Sequence, residues 1–115
     1  MKEYRSQFIS IKPLSINSCF QGRRFRTSIF RKWQEMVIYS LPKGGSNSKN
    51  YAMTIYIYLK NPARSDIDNY AKPIIDCCVK KGIIRDDRYI KYLELIKKQA
   101  KEDGFEIIIT SVKED

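Results

Sequence analysis

The chain contains no histidine. Ser-His-Asp and Cys-His nucleophilic chemistry are therefore excluded, and so are the usual zinc sites. Any acid–base chemistry must use aspartate, glutamate, lysine, tyrosine or water activated by a metal ion.

Cysteine is scarce, with three residues in 115. Cys77 and Cys78 are adjacent and cannot readily form a disulfide with each other, Cys19 is distant, and no CxxC pair is present. We expect these cysteines to be small buried apolar residues of a protein in a reducing compartment.

Long apolar segments are also lacking. No run approaches the roughly 20 residues of a membrane helix, and no apolar segment typical of a secretory signal follows the first residues, MKEYR. We therefore expect a cytoplasmic protein with no membrane partner. The length of 115 residues, 43% of them hydrophobic, predicts one domain over residues 1–115 with a modest core.

Positive charge is what the chain has in excess. It contains 22 Lys and Arg against 13 Asp and Glu, for a net charge of +9. Such a surface attracts polyanions, and nucleic-acid binding of this kind weakens steeply with salt. A solvated basic surface without a partner and an acidic protein partner are the alternatives.

The first half of the chain predicts a strand, a helix and a loop. The strand is expected over Gln7–Pro13. Thr27 can cap a following helix, and its apolar stripe is expected to pack in the core. The residues of this stripe recur at three- and four-residue spacing and are Phe30, Trp33, Val37 and Leu41. The segment 42–50 is rich in Gly, Ser and Asn and predicts a loop.

The second half predicts three strands around one helix. Tyr51–Lys60 alternates as a half-buried strand does, and a helix is expected to end at Gly82. Asp103-Gly104 is typical of a hairpin turn, so Tyr89–Gln99 and Phe105–Val112 are expected to pair as a hairpin. The fold class is α/β (α+β), a small mixed sheet of about four strands with two main helices.

An acidic cluster stands out in this basic chain. Asp66 and Asp68 lie between the central strand and its helix, where Asp68 can also serve as N-cap. Lys72 and Asp76 follow at four-residue steps, and Asp86-Asp87 comes after the turn that returns the chain to the sheet. Carboxylates that converge repel one another, and a hard cation such as Mg²⁺ removes this repulsion and can bridge to phosphate.

Each acidic residue also has a simpler explanation, and spacing alone favours it. Asp68 can be only a helix cap, and Asp86-Asp87 can be a solvated turn. Asp76 can pair with Lys72 or Lys80.

The combined pattern is similar to that of a known family. Its residues resemble the D-x-D-N-x-x-K-x-x-x-D…D-D signature of RusA-type Holliday-junction resolvases, and they are Asp66-Ile67-Asp68-Asn69, Lys72, Asp76 and Asp86-Asp87. Ser15-Ile16-Asn17 and Gly22-Arg23-Arg24-Phe25-Arg26 look like the family's S-x-N segment and basic loop. Lys72-Pro73-Ile74-Ile75-Asp76 resembles a common family version of the helix start.

The resemblance implies a homodimeric, Mg²⁺-dependent endonuclease of bacteria or phages that resolves four-way junctions, with Mn²⁺ as a substitute metal. It assigns catalysis and metal binding to Asp66, Asp68 and Asp87, and makes Lys72 the essential lysine. Supporting positions beside these ligands are Asn69, Asp76 and Asp86. DNA contacts are expected from Asn17, Arg23, Arg24, Arg26 and Lys72. The alternatives are a non-catalytic DNA- or RNA-binding module and a protein-interaction adaptor that uses the basic face.

Overall fold

The computed structural model describes residues 3–16, 20–21, 25–64 and 66–112. Its strands and helices, in chain order, are β1 (Glu3–Arg5), β2 (Phe20–Gln21), β3 (Phe25–Arg26), α1 (Ser28–Ser40), β4 (Tyr51–Leu59), α2 (Ala71–Lys81), β5 (Ile90–Gln99) and β6 (Gly104–Ser111). Short 3₁₀ turns cover Pro62–Arg64, Ile67–Tyr70 and Asp87–Tyr89.

Four strands form a mixed sheet in the order β1-β6-β4-β5. β4 is parallel to β5 and antiparallel to β6, while β1 is antiparallel to β6. Parallel neighbours require a long crossover connection, and α2 lies in the one between β4 and β5. Strands β2 and β3 form a separate two-stranded ribbon. The predicted fold class is confirmed.

The helices pack on one face of this sheet. Alternate side chains of β4, from Tyr51 to Leu59, are buried, as the alternation in the sequence predicts. They share one core with the apolar stripe of α1 and with the fully buried Cys77 and Cys78 of α2, so the core role of the stripe and of these two cysteines is confirmed. Thr27 Oγ1 accepts the N–H of Phe30 at 3.1 Å, which confirms the predicted cap. Cys19 lies outside the described residues.

The strand prediction for Gln7–Pro13 is wrong. The strand lies earlier, at Glu3–Arg5, and Gln7 has a φ of 63°, which breaks the extended chain. In this segment only Ile9 is paired: it exchanges backbone hydrogen bonds of 2.8 and 3.1 Å with Phe105.

The hairpin prediction for Asp103-Gly104 is also wrong, although both of its strands exist. β4 lies between β5 and β6 and pairs with each. The reason is burial. Side chains of β4 alternate between buried and half-buried and none is exposed, whereas most side chains in the first half of β5 are exposed, so β4 lies at the centre of the sheet and β5 at its edge.

The start of α2 differs from the expectation as well. The N-cap position belongs to Tyr70, and Asp68 lies within the preceding 3₁₀ turn, which runs directly into the helix. Gly82 ends the helix in the left-handed region with a φ of 86°, as predicted. No helix within the described residues is long and apolar enough to span a bilayer.

The hydroxyl of Tyr51 connects the loop 42–50 to the segment after α2. It accepts the N–H groups of Ser48 at 3.1 Å and Arg85 at 3.2 Å, and it donates to the carbonyl of Ser46. Because Tyr51 is only 1% exposed, water cannot replace these partners.

Replacing Tyr51 with phenylalanine should therefore lower the free energy of unfolding by about 1–3 kcal/mol, since two N–H groups and one carbonyl lose their partner. Denaturant titration measures this value. Tyr39→Phe is the matched control, because Tyr39 is 89% exposed on α1 and should lose almost nothing. Equal stability of the two variants would contradict the role of the Tyr51 hydroxyl.

Candidate active site

The segment after α2 places the acidic pair at the protein surface. Ile83 and Ile84 are fully buried, and the N–H of Ile83 donates to the carbonyl of Cys78 at 3.0 Å. The chain then emerges at Arg85, and Asp86 caps the next 3₁₀ turn by accepting the N–H of Arg88 at 3.1 Å. Asp87 is therefore exposed, but on a backbone whose course is fixed.

Lys72 connects two of the predicted acids. Its Nζ lies 2.5 Å from Oδ2 of Asp87 and 3.1 Å from Oδ1 of Asp76. Two of the predicted site residues, Lys72 and Asp87, therefore lie in contact although 15 positions separate them in the chain. Asp76 also pairs with Lys72, which was one of the simpler explanations for that residue.

The hydrogen bond from Lys72 lowers the pKa of Asp87 below its usual range, and the same bond raises the pKa of Lys72. Both groups therefore stay charged at neutral pH. The side chains of Lys72 and Asp87 are 50% and 43% exposed, so solvent screens the pair and it contributes about 0–1 kcal/mol to stability.

Asp66 and Asp68 lie on either side of the start of the Ile67–Tyr70 turn, and both are exposed. The backbone N–H of Asn69 donates to the carbonyl of Asp66 at 3.2 Å, so Asn69 helps to order this turn. Within the described residues, neither carboxylate forms an ion pair with Lys72, whose partners are Asp76 and Asp87. The turn itself contacts both α2 and β5.

The donor chemistry of these residues fits a hard cation such as Mg²⁺. Exposed aspartate oxygens are the ligands it prefers, and it usually keeps several waters, so it needs only one or two carboxylates. The ammonium group of Lys72 already lies between the carboxylates of Asp76 and Asp87, so this position accommodates a positive charge. No three Asp, Glu or Cys side chains in the described part of the chain form a ready ligand group. The assignment of Asp66, Asp68 and Asp87 as ligands stays a prediction.

Most of the predicted DNA-contact residues cannot be placed. Asn17, Arg23 and Arg24 lie outside the described residues, and Arg26 is described only as backbone in β3. Sequence reasoning overlooked a different basic group, Arg85 and Arg88, whose guanidinium groups lie over the ring of Tyr89. Their only signal in the sequence is that they flank Asp86-Asp87.

Comparison with known proteins identifies the family to which the chain belongs. Residues 22–110 match the model of the family described as endodeoxyribonuclease RusA, a range that includes all the predicted acidic site residues. The chain is also 28% identical over 95 residues to the crossover junction endodeoxyribonuclease RusA of Aquifex aeolicus (strain VF5), covering 80% of this chain and 74% of that protein. This chain belongs to the RusA family of endodeoxyribonucleases. The resemblance and the enzyme class predicted from the acidic motif are confirmed.

Replacing Lys72 with glutamine should raise the pKa of Asp87 towards its usual range, because the ammonium that stabilises the carboxylate is lost. Because the pKa of Asp87 is lowered in the folded state, the ion pair stabilises the fold more at higher pH than at lower pH. The contribution of the pair is present above about pH 3.9 and disappears as the pH falls through the folded-state pKa, and Lys72→Gln removes this dependence.

An NMR titration of the Asp87 carboxyl carbon measures the shift. Lys80→Gln is the control, because Lys80 is an exposed lysine of the same helix and should leave the pKa of Asp87 unchanged. An unaltered Asp87 titration in Lys72→Gln would show that the ion pair does not form in solution.

Proposed function

We propose that this protein resolves Holliday junctions by metal-assisted hydrolysis of DNA phosphodiesters and acts in recombination and repair inside the cell. The observation that supports this most is the exposed cluster of Lys72, Asp76 and Asp87, which lies at the helix that the Asp68 turn enters. Membership in the RusA family and the similarity to the crossover junction endodeoxyribonuclease of Aquifex aeolicus favour a branched DNA substrate.

In this proposal Asp66, Asp68 and Asp87 bind the metal, which is Mg²⁺ with Mn²⁺ as a substitute. The metal would supply Lewis-acid stabilisation of the charge that develops on the phosphate, and would make water a better nucleophile. Asp76 and Asp86 orient their neighbours, since Asp76 contacts Lys72 and Asp86 caps the turn that contains Asp87.

Lys72 binds the reacting phosphate. Its ammonium is held between two carboxylates, so its position is set before DNA arrives. A preorganised cation aimed at developing negative charge lowers the barrier without any rearrangement during the reaction. The raised pKa of Lys72 favours this role over that of a general base, because the side chain keeps its proton at neutral pH.

A homodimer suits the substrate. A four-way junction has two-fold symmetry, and a two-fold dimer places two identical sites in matching orientation for paired cuts. Affinity would come mainly from phosphate contacts by basic side chains, including the predicted Arg23, Arg24, Arg26 and Asn17. Sedimentation equilibrium at micromolar concentration should give twice the 13.6 kDa mass of the chain.

The charge-neutral variant Asp68→Asn should bind a four-way junction at least as tightly as the wild type, because repulsion of the phosphates falls. Cleavage should drop by about 100-fold or more, since a metal ligand is lost. A gel assay of a labelled junction with Mg²⁺ measures cleavage, and a linear duplex is the substrate control. Glu35→Gln, which removes an exposed acid of α1, should cut normally.

The outcome also separates this proposal from its main alternative, a non-catalytic nucleic-acid-binding module. That module would bind DNA but leave junctions, flaps and Y-structures intact even as the wild type with Mg²⁺ or Mn²⁺. Such a result would refute the proposed function, whereas cleavage retained by Asp68→Asn would refute only the role assigned to Asp68.

A further inference from the structure

Two arginines on either side of Asp86-Asp87 meet on one aromatic ring. The Cζ atom of Arg85 lies 5.3 Å from the ring centroid of Tyr89, and that of Arg88 lies 4.9 Å from it. Nη2 of Arg88 also donates to the hydroxyl of Tyr89 at 3.0 Å. Cation–π attraction and this hydrogen bond order two exposed guanidinium groups beside the acidic turn.

The backbone beneath these side chains is also fixed. The N–H of Arg85 donates to the buried hydroxyl of Tyr51 at 3.2 Å, and the N–H of Tyr89 donates to the carbonyl of Asp86 at 3.1 Å. A side chain ordered in advance loses less conformational entropy when it binds a ligand, so its contacts contribute more to affinity.

The charges of both arginines are available to an anion. Within the described residues Arg85 forms no ion pair, and the Arg88 contact with Asp86 is long, at 3.9 Å, with Arg88 70% exposed. Lys72 differs, because its charge is balanced by Asp76 and Asp87. Arg85 and Arg88 are therefore the cations beside Asp87 that no close carboxylate balances within the described residues, and they can bind a phosphate in addition to the one assigned to Lys72.

We propose that Arg85, Arg88 and Tyr89 form a phosphate clamp that binds the DNA backbone next to the phosphodiester cut at Asp87. The guanidinium group is planar and donates in pairs, so it fits two phosphate oxygens at once. The arginines lie within two residues of Asp87, which places the bound phosphate close to the scissile one. The phosphate clamp rests on the proposed function, since it takes DNA as its ligand.

A different role for these arginines would be to offset the mutual repulsion of Asp86 and Asp87. The two roles have opposite consequences. If the arginines only screen the acids, their loss destabilises the fold and spares DNA affinity. If they form the phosphate clamp, their loss weakens DNA binding and has little effect on the free energy of unfolding, because exposed cation–π contacts contribute only about 0.5–1 kcal/mol.

The test compares Arg85→Gln and Arg88→Gln with Lys98→Gln. Lys98 is a matched control, because its Nζ lies 5.3 Å from the ring centroid of Tyr56 and it is exposed near the far end of β5. It lies eight positions along the strand from Ile90, a distance of about 26 Å. All three variants lose one charge and one cation–π contact.

Binding to a fluorescent four-way junction is measured by anisotropy in EDTA, which prevents cleavage. Each arginine variant should bind roughly tenfold more weakly than Lys98→Gln, because charge-assisted hydrogen bonds to phosphate are lost. The slope of log K against log salt should fall by about one for each arginine. Affinities equal to that of Lys98→Gln would overturn the phosphate clamp.

If the glutamine variants do not fold, Arg85→Lys and Arg88→Lys decide the question. Lysine keeps the charge but lacks the paired donors. Weaker junction binding than in the wild type, with an unchanged salt slope, supports the phosphate clamp, and wild-type affinity in both lysine variants overturns it.

Cleavage by the wild-type protein with Mg²⁺ is measured separately, so that the two proposals can fail independently. A wild type that binds junctions without cutting them would refute the proposed function, and the binding comparison would still decide the phosphate clamp. In a cleaving enzyme, loss of either arginine should raise KM with little change in kcat, because the neighbouring phosphate is bound equally in ground and transition states.

Discussion

The burial of Ile83 and Ile84 is the constraint on which the site depends. Both side chains are fully buried immediately after α2, and only three residues lie between Ile83 and Asp87. The loop 42–50 closes over them so tightly that a Cβ on Gly45 would lie 2.3 Å from the carbonyl oxygen of Ile83. Gly45 has a φ of 106°, so the close approach and the backbone conformation both require glycine there.

This apolar anchor lets the charged groups remain exposed. Burial of an isoleucine contributes about 1.5–3 kcal/mol, whereas an exposed ion pair contributes about 0–1 kcal/mol. The position of Asp87 is therefore set by the residues before it and not by its contact with Lys72. Charges that are not needed to stabilise the fold can be rearranged around a metal or a phosphate at little cost to stability.

Local patterns in the sequence predicted the local structure well, and pairings between distant segments less well. The alternation of Tyr51–Leu59 and the αL position of Gly82 depend on neighbouring residues, so both could be read directly. The order of β5 and β6 could not, because it depends on which strands pair across the sheet and not on neighbouring residues. The positive φ of Gln7 gives no signal in the sequence at all, since a non-glycine residue in this conformation depends on its tertiary surroundings.

For the candidate site, the sequence motif predicted which residues belong together. It could not predict that Lys72 contacts both Asp76 and Asp87, or that two arginines lie over the ring of Tyr89, because these contacts depend on side-chain positions.

The local charge gives a physical reason why arginines belong beside the acids. Segment 66–76 contains three aspartates and one lysine, whereas segment 85–88 contains two arginines and two aspartates. Together they have a net charge of −2 in a chain of net charge +9. A divalent cation would bring this region to neutrality, so a phosphate could then approach the carboxylates without net repulsion. Without the two arginines the same region would have a charge of −4, and one Mg²⁺ would leave it negative. In the proposed site, the arginines would therefore match the charge of the acidic region to one divalent metal and would also provide donors for the DNA backbone.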